Sequence, residues 1–138
     1  MSVFSVLADV LIVGHSLFGG DTAQLTESAL RAMTGPSVVE TQIINGANLA
    51  YNWDHAAQAE GIDGRAKLAS GADVLILTEA QPIADQIAGS ETAANIARFT
   101  ALAAKANPQV RVYLYETWHP LDDPEGWLER LDADLPIH

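Results

Sequence analysis

The chain of 138 residues contains no cysteine, which excludes disulfides, a thiolate nucleophile and cysteine-ligated zinc. Basic residues are scarce: seven lysines and arginines stand against 18 aspartates and glutamates, a formal net charge of −11. A surface of that sign repels polyanions, so neither nucleic acid nor an anionic membrane is expected as a partner. No apolar run reaches the ~20 residues of a membrane span, because Asp9, His15 and the glycines interrupt the first candidate; no membrane insertion is expected. The first eight residues have no basic n-region, and their apolar run is too short for a complete signal peptide. Val6-Leu7-Ala8 could still close an export signal, so a soluble protein of the cytoplasm or the periplasm is expected. The phosphate-binding and dinucleotide-binding glycine patterns are missing, since no lysine–hydroxyl pair follows Gly19 and the glycine spacing is wrong. The four histidines lie far apart, with no His-x-x-x-His pair, so no metal site is expected.

What is present is apolar: 49% of the residues, enough in one domain of this length to bury a substantial core. Residues 10–13 (Val-Leu-Ile-Val) form a short apolar run suited to a strand buried on both faces of a parallel sheet. Asp21 is placed to cap a helix reaching Met33, with Leu25, Ala29, Leu30 and Met33 on one side and Gly35-Pro36 as the stop. A second strand is expected at 38–44, a short helix near 65–70, and a third strand, apolar throughout, at 73–78. The clearest helix is 90–106, with Ile96, Phe99, Leu102, Ala103 and Ala106 as its apolar face. A fourth strand at 110–115 alternates Val110, Val112 and Leu114 with Arg111, Tyr113 and Tyr115, and a last helix is expected near 125–134. Strands alternating with helices over short connections imply right-handed crossovers and one mostly parallel sheet with helices on both faces.

In such sheets ligands and chemistry collect at the carboxyl ends of the strands. Gly14-His15-Ser16-Leu17 follows the first strand there, and it resembles the first sequence block of the SGNH (GDSL-type) hydrolases, whose nucleophilic serine occupies that place. Gly46, in the loop after the second strand, is similar to the glycine of the family's second block, whose backbone N–H faces the oxyanion; a glycine needed only for a turn is the other reading. The resemblance implies a flavodoxin-like three-layer α/β/α fold. Its parallel sheet would have four or five strands in the order 2-1-3-4, within a single domain over 1–138. It also implies a serine esterase that cleaves small acyl esters without a cofactor, through an acyl-enzyme on Ser16.

The chain departs from the family in three places. His15 stands where aspartate is usual. Glu79-Ala80-Gln81-Pro82 follows the third strand where the family has Gly-x-Asn-Asp, so Asn48 is the candidate to replace the missing asparagine donor. The Asp-x-x-His block before the final helix is absent, which suggests a chain lacking the C-terminal part of the full fold or a displaced base. His119, after the fourth strand, is the candidate base, with Glu79 as its orienting carboxylate. Adjacent strands lie about 4.8 Å apart, so the ends of the first and fourth strands are separated by roughly 10 Å, and the 117–119 turn would have to fold back over the edge. His55, beside Trp53, reads as a surface or packing residue. The competing expectation is a catalytically silent domain that binds a small molecule or a protein through the same edge. Without a fifth strand, the fourth would be an open edge, inviting self-association through 110–115.

Overall fold

The computed structural model describes residues 8–115. The first strand, β1 (Ala8–Gly14), is central, and Val10, Leu11, Ile12 and Val13 are each 3% exposed or less, as its unbroken apolar run requires. It pairs in parallel with β2 (Ser37–Ile43) on one side and with the later strand β4 (Val74–Leu77) on the other. Beyond β4 lies β5 (Arg111–Leu114), also parallel, and beyond β2 lies a two-residue antiparallel strand, β3 (Glu60–Gly61). The sheet order is therefore β3-β2-β1-β4-β5, and its four parallel strands stand in the expected 2-1-3-4 arrangement. The fold is mixed α/β, with a five-stranded, mostly parallel sheet flanked by helices. No helix of the described residues is long and apolar enough to cross a membrane.

The antiparallel β3 was not expected from the sequence, which is polar there. It exists because the chain doubles back: the Ile62 N–H donates to the Thr41 carbonyl. Gly61 takes a φ of +94°, where a Cβ would lie 2.0 Å from that same carbonyl oxygen, so only glycine fits.

Each face of the sheet has its own core. On one face Leu11, Val13, Leu75 and Leu77 pack under α2 (Leu49–Asp54), α3 (Gly64–Ser70) and α5 (Thr92–Ala106), together with Leu49, Leu68, Phe99 and Ala103. On the other, Val10, Ile12 and Val39 are met by Phe18 and by Ala23 and Leu30 of α1 (Thr22–Thr34). This second contact corrects the expected face of α1. Leu25 is 68% and Met33 82% exposed; of the expected face Leu30 packs on the core, joined by Ala23. Asp21 does occupy the N-cap, but with αR backbone angles and no side-chain capping bond. β4 is likewise not buried on both faces: Leu75 and Leu77 are buried, whereas Val74 and Ile76 are half-buried. The helix expected at 90–106 is α5, which starts two residues later, at Thr92; before it lies an unexpected short helix, α4 (Ile83–Gly89), separated from α5 by Glu91, whose φ of +51° no regular helix accepts. β5 is an edge of the described sheet, with Tyr113, Leu114 and Tyr115 about half exposed.

At the amino ends of the strands, Lys67 of α3 bonds Asp9 of β1 at 2.5 Å and Glu40 of β2 at 3.1 Å, tying helix to sheet. Partial burial pulls the ammonium's pKa down. The hydrogen bonds and charges of the two carboxylates outweigh that and hold it above the usual 10.5. A folded pKa above the unfolded one stabilises the protein fully below pH ~10.4 and less as pH rises through the folded value. Lys67→Met is therefore expected to cost about 1–3 kcal/mol at neutral pH, in the range of partly buried charge-assisted bonds. Urea denaturation at pH 7 and above pH 10.5 should show the gap between wild type and variant narrowing in alkali.

Candidate functional site

β1 ends at Gly14 because nothing larger fits: a Cβ there would lie 2.6 Å from Thr78 Cγ2 and 2.7 Å from Phe18 Cδ2. The close approach lets the chain turn sharply, and the Phe18 N–H closes a four-residue turn onto the His15 carbonyl at 2.9 Å. Ser16 is the second residue of that turn. It is exposed at the carboxyl edge of the central strand, and it hydrogen-bonds no other described residue. His15 points the opposite way. It is buried, and its Nε2 lies 3.1 Å from the Glu79 carbonyl, which can only accept, so Nε2 carries the proton. Nδ1 then accepts the longer bond, 3.4 Å, from the Leu17 N–H. The imidazole braces the serine turn against the end of β4.

The loop after β2 makes a second tight turn, with the Ala47 N–H bonded to the Ile44 carbonyl and Gly46 at a φ of +69°. The position is that of the third residue of a type II turn, where glycine is preferred. Gly46 is exposed, and its N–H donates to no acceptor among the described residues. Asn48 next to it caps α2, its Oδ1 accepting from the Tyr51 N–H at 2.8 Å. Its amide donates to Gln86 Oε1 and to Ser90 Oγ, at 3.0 and 3.2 Å. Both amide hydrogens are thus taken, which corrects the expectation that Asn48 replaces the missing oxyanion donor.

Glu79 is buried at the end of β4. Its Oε1 accepts from the backbone N–H groups of Leu49 and Ala80, at 2.9 and 2.8 Å, and its Oε2 accepts from Thr92 Oγ1 at 2.7 Å. The carboxylate holds the first turns of α2 and α5 to the loop after β4, and only one lone pair of Oε2 is left. His119, the candidate base, lies outside the described residues.

Several contributors to the site were not found in the sequence. Asn52, fully buried in α2, donates to the Gly14 carbonyl and the Asn48 carbonyl, both at 3.2 Å. Gln42, fully buried in β2, donates to Asn52 Oδ1 and the Asn52 carbonyl and accepts from the Gly64 N–H. A signal existed: Gln42 falls in register with Val13 across the sheet, a core position where an amide demands partners. His55 stacks on the Tyr51 ring at 3.8 Å between centroids, the packing role expected of it. Neither described histidine bonds Ser16. No cluster of three or more metal-ligating side chains occurs among the described residues.

A solved structure described as "a putative SGNH hydrolase", from Slackia heliotrinireducens, superposes with a TM-score of 0.57 at 22% identity over 82% of this chain. The chain is SGNH-like in fold. It spans 58% of the length of that protein. No protein-family model matches the chain, and no curated protein sequence does.

The site's acceptor network predicts an asymmetric response at Glu79. Glu79→Ala leaves the Leu49 and Ala80 N–H groups buried without an acceptor and should cost roughly 2–5 kcal/mol, whereas Glu79→Gln, which keeps one carbonyl oxygen, should cost only about 1 kcal/mol. Equal losses in urea denaturation would mean that the hydrogen bonds are not what Glu79 supplies.

Proposed function

We propose that the protein is a serine hydrolase that cleaves small acyl esters through an acyl-enzyme on Ser16. The observation that carries this reading is the pairing of an exposed, unengaged serine at the end of the central strand with an exposed glycine turn at the end of the next. The Ser16 hydroxyl oxygen attacks the acyl carbon, its proton passes to a base, and the base returns that proton to the alcohol as the ester C–O bond breaks. Water then releases the acid. The backbone N–H groups of Ser16 and Gly46 are assigned to the oxyanion, where each fixed donor matters most as negative charge develops.

The base is assigned to His119. Support comes from the end of β5: the Tyr115 ring lies 5.1 Å from the Phe18 ring, and the Tyr115 carbonyl accepts from Thr78 Oγ1. The chain thus passes the serine turn at Tyr115, four residues before His119, and four residues span at most about 14 Å. Glu79 is assigned first to the scaffold of the site, with the last lone pair of Oε2 free to orient an imidazole N–H.

A second reading, a silent domain that binds a ligand at the same edge, is favoured by one fact: neither described histidine bonds Ser16. Two measurements separate the readings. A fluorophosphonate probe should add once to the wild type and not to Ser16→Ala, read by intact mass. In a p-nitrophenyl acetate assay, Ser16→Ala and His119→Ala should each lose on the order of 10³-fold in kcat, because members of a catalytic unit fail together, while thermal stability stays nearly unchanged. No adduct on the wild type would leave the silent reading; loss with the serine variant alone would remove His119 as base.

A further inference from the structure

Away from the serine turn, the outer surface of the helical layer gathers positive charge in an acidic protein. Trp53 of α2 packs edge-on against Phe99 at 4.9 Å between centroids, and two guanidinium groups stand over its ring: Arg65 of α3 at 5.3 Å and Arg98 of α5 at 4.9 Å. Both guanidinium groups are short of acceptors. Arg65 hydrogen-bonds no described residue, Arg98 donates to Asn95 Oδ1, and the Nε atoms of both are buried without a partner. Neither forms an ion pair with a described carboxylate. By contrast, Arg31 pairs with Glu27, and Lys67 with Asp9 and Glu40. Two like charges brought to one indole repel each other, and a net charge of −11 supplies many carboxylates that could have neutralised them.

The arginines stand one helical turn from a surface hollow. α3 and α5 both run antiparallel to the strands they precede, so they lie side by side and parallel. One turn further along each helix, on the same face as Arg65 and Arg98, are Ala69 and Leu102. These two line a hollow of about 230 Å³ with Lys105 and Ala106. The small side chains of Ala69 and Ala106 leave the space, Leu102 gives it an apolar wall, and Lys105, unpaired with any described carboxylate, adds a third positive charge. Head and hollow are separated by one helical turn, about 6 Å.

We propose that the groove between α3 and α5 binds a small amphipathic oxyanion, its carboxylate or phosphate held by Arg65 and Arg98 beside Trp53 and its apolar body in the hollow below. A guanidinium pair favours oxygen anions because its forked donors match two oxygens at once. The net charge of −11 disfavours anions over most of the surface, so cations gathered at one hollow are a favourable exception. The site is distinct from the serine turn.

The Trp53 indole N–H provides the readout, in ¹H–¹⁵N spectra of the full chain carrying Ser16→Ala, which removes turnover. Hexanoate and hexyl phosphate are titrated separately at constant ionic strength, against acetate and 1-hexanol. A saturable Trp53 shift with either amphipathic anion, at least tenfold weaker with acetate and with hexanol, and at least tenfold weaker in Arg65→Gln/Arg98→Gln, is the expected result. The anion that binds identifies the head group. Arg65→Lys/Arg98→Lys, which keeps charge and packing, should bind at intermediate strength and guards against a misfolded glutamine variant. A shift that never saturates, that acetate or hexanol matches, or that persists unchanged in the glutamine variant would overturn the proposal.

Discussion

The Glu79 carboxylate accepts hydrogen bonds from three separate parts of the chain: the N-terminus of α2, its own loop after β4, and the N-terminus of α5. A buried carboxylate is tolerable only when it is satisfied, and here a loop N–H joins a backbone N–H and a hydroxyl at the starts of two helices, where N–H groups are otherwise orphaned. The carbonyl of the same residue receives the His15 imidazole, which braces the Ser16 turn. One residue at the end of β4 therefore sets the positions of the serine turn, the asparagine-capped α2 and the start of α5 relative to one another.

A second tie lies behind the first. Gln42 and Asn52 form a fully buried amide chain that ends on the Gly14 carbonyl, and the Ile44 N–H reaches the same oxygen at 3.2 Å. Every donor and acceptor in it is used, the condition under which a buried polar network rigidifies a fold instead of weakening it. Most of the buried polar side chains lie at the carboxyl end of the sheet. The apolar face-to-face packing of Leu11, Val13, Leu75 and Leu77 holds the layers together, while this polar rim holds the loops. The division suits a site that needs fixed backbone donors.

The likeness to the solved SGNH-type structure is one of fold. Where this chain differs in sequence from that family's usual blocks, the differences are compensated by contacts. His15, in place of aspartate, bridges two strand ends, and Glu79, in the block where an asparagine would donate to substrate, turns inward as an acceptor. Under the proposed hydrolase reading, the oxyanion donors are backbone N–H groups, not side-chain amides.

The sequence by itself determined the four parallel strands of the sheet, though not the antiparallel β3. The apolar run 10–13 suited a strand covered on both sides, so Ser16 at its exposed carboxyl end was legible, while the place of β1 inside the sheet came from the family resemblance. Gly46 was legible as a turn, because few residues other than glycine accept its φ. Periodicity overreached where side chains pack loosely or where the backbone breaks. Leu25 and Met33 share a face that stays exposed, and the short α4 before Glu91 was missed. What only the tertiary structure decided is the pairing of polar groups distant in the chain. That Asn48 spends its amide on Gln86 and Ser90, that Glu79 faces Leu49 and Thr92, and that Arg65 and Arg98 converge on Trp53 follow from which helices lie side by side. A hydrogen bond constrains its two ends only in space, and it leaves no periodic trace along the chain.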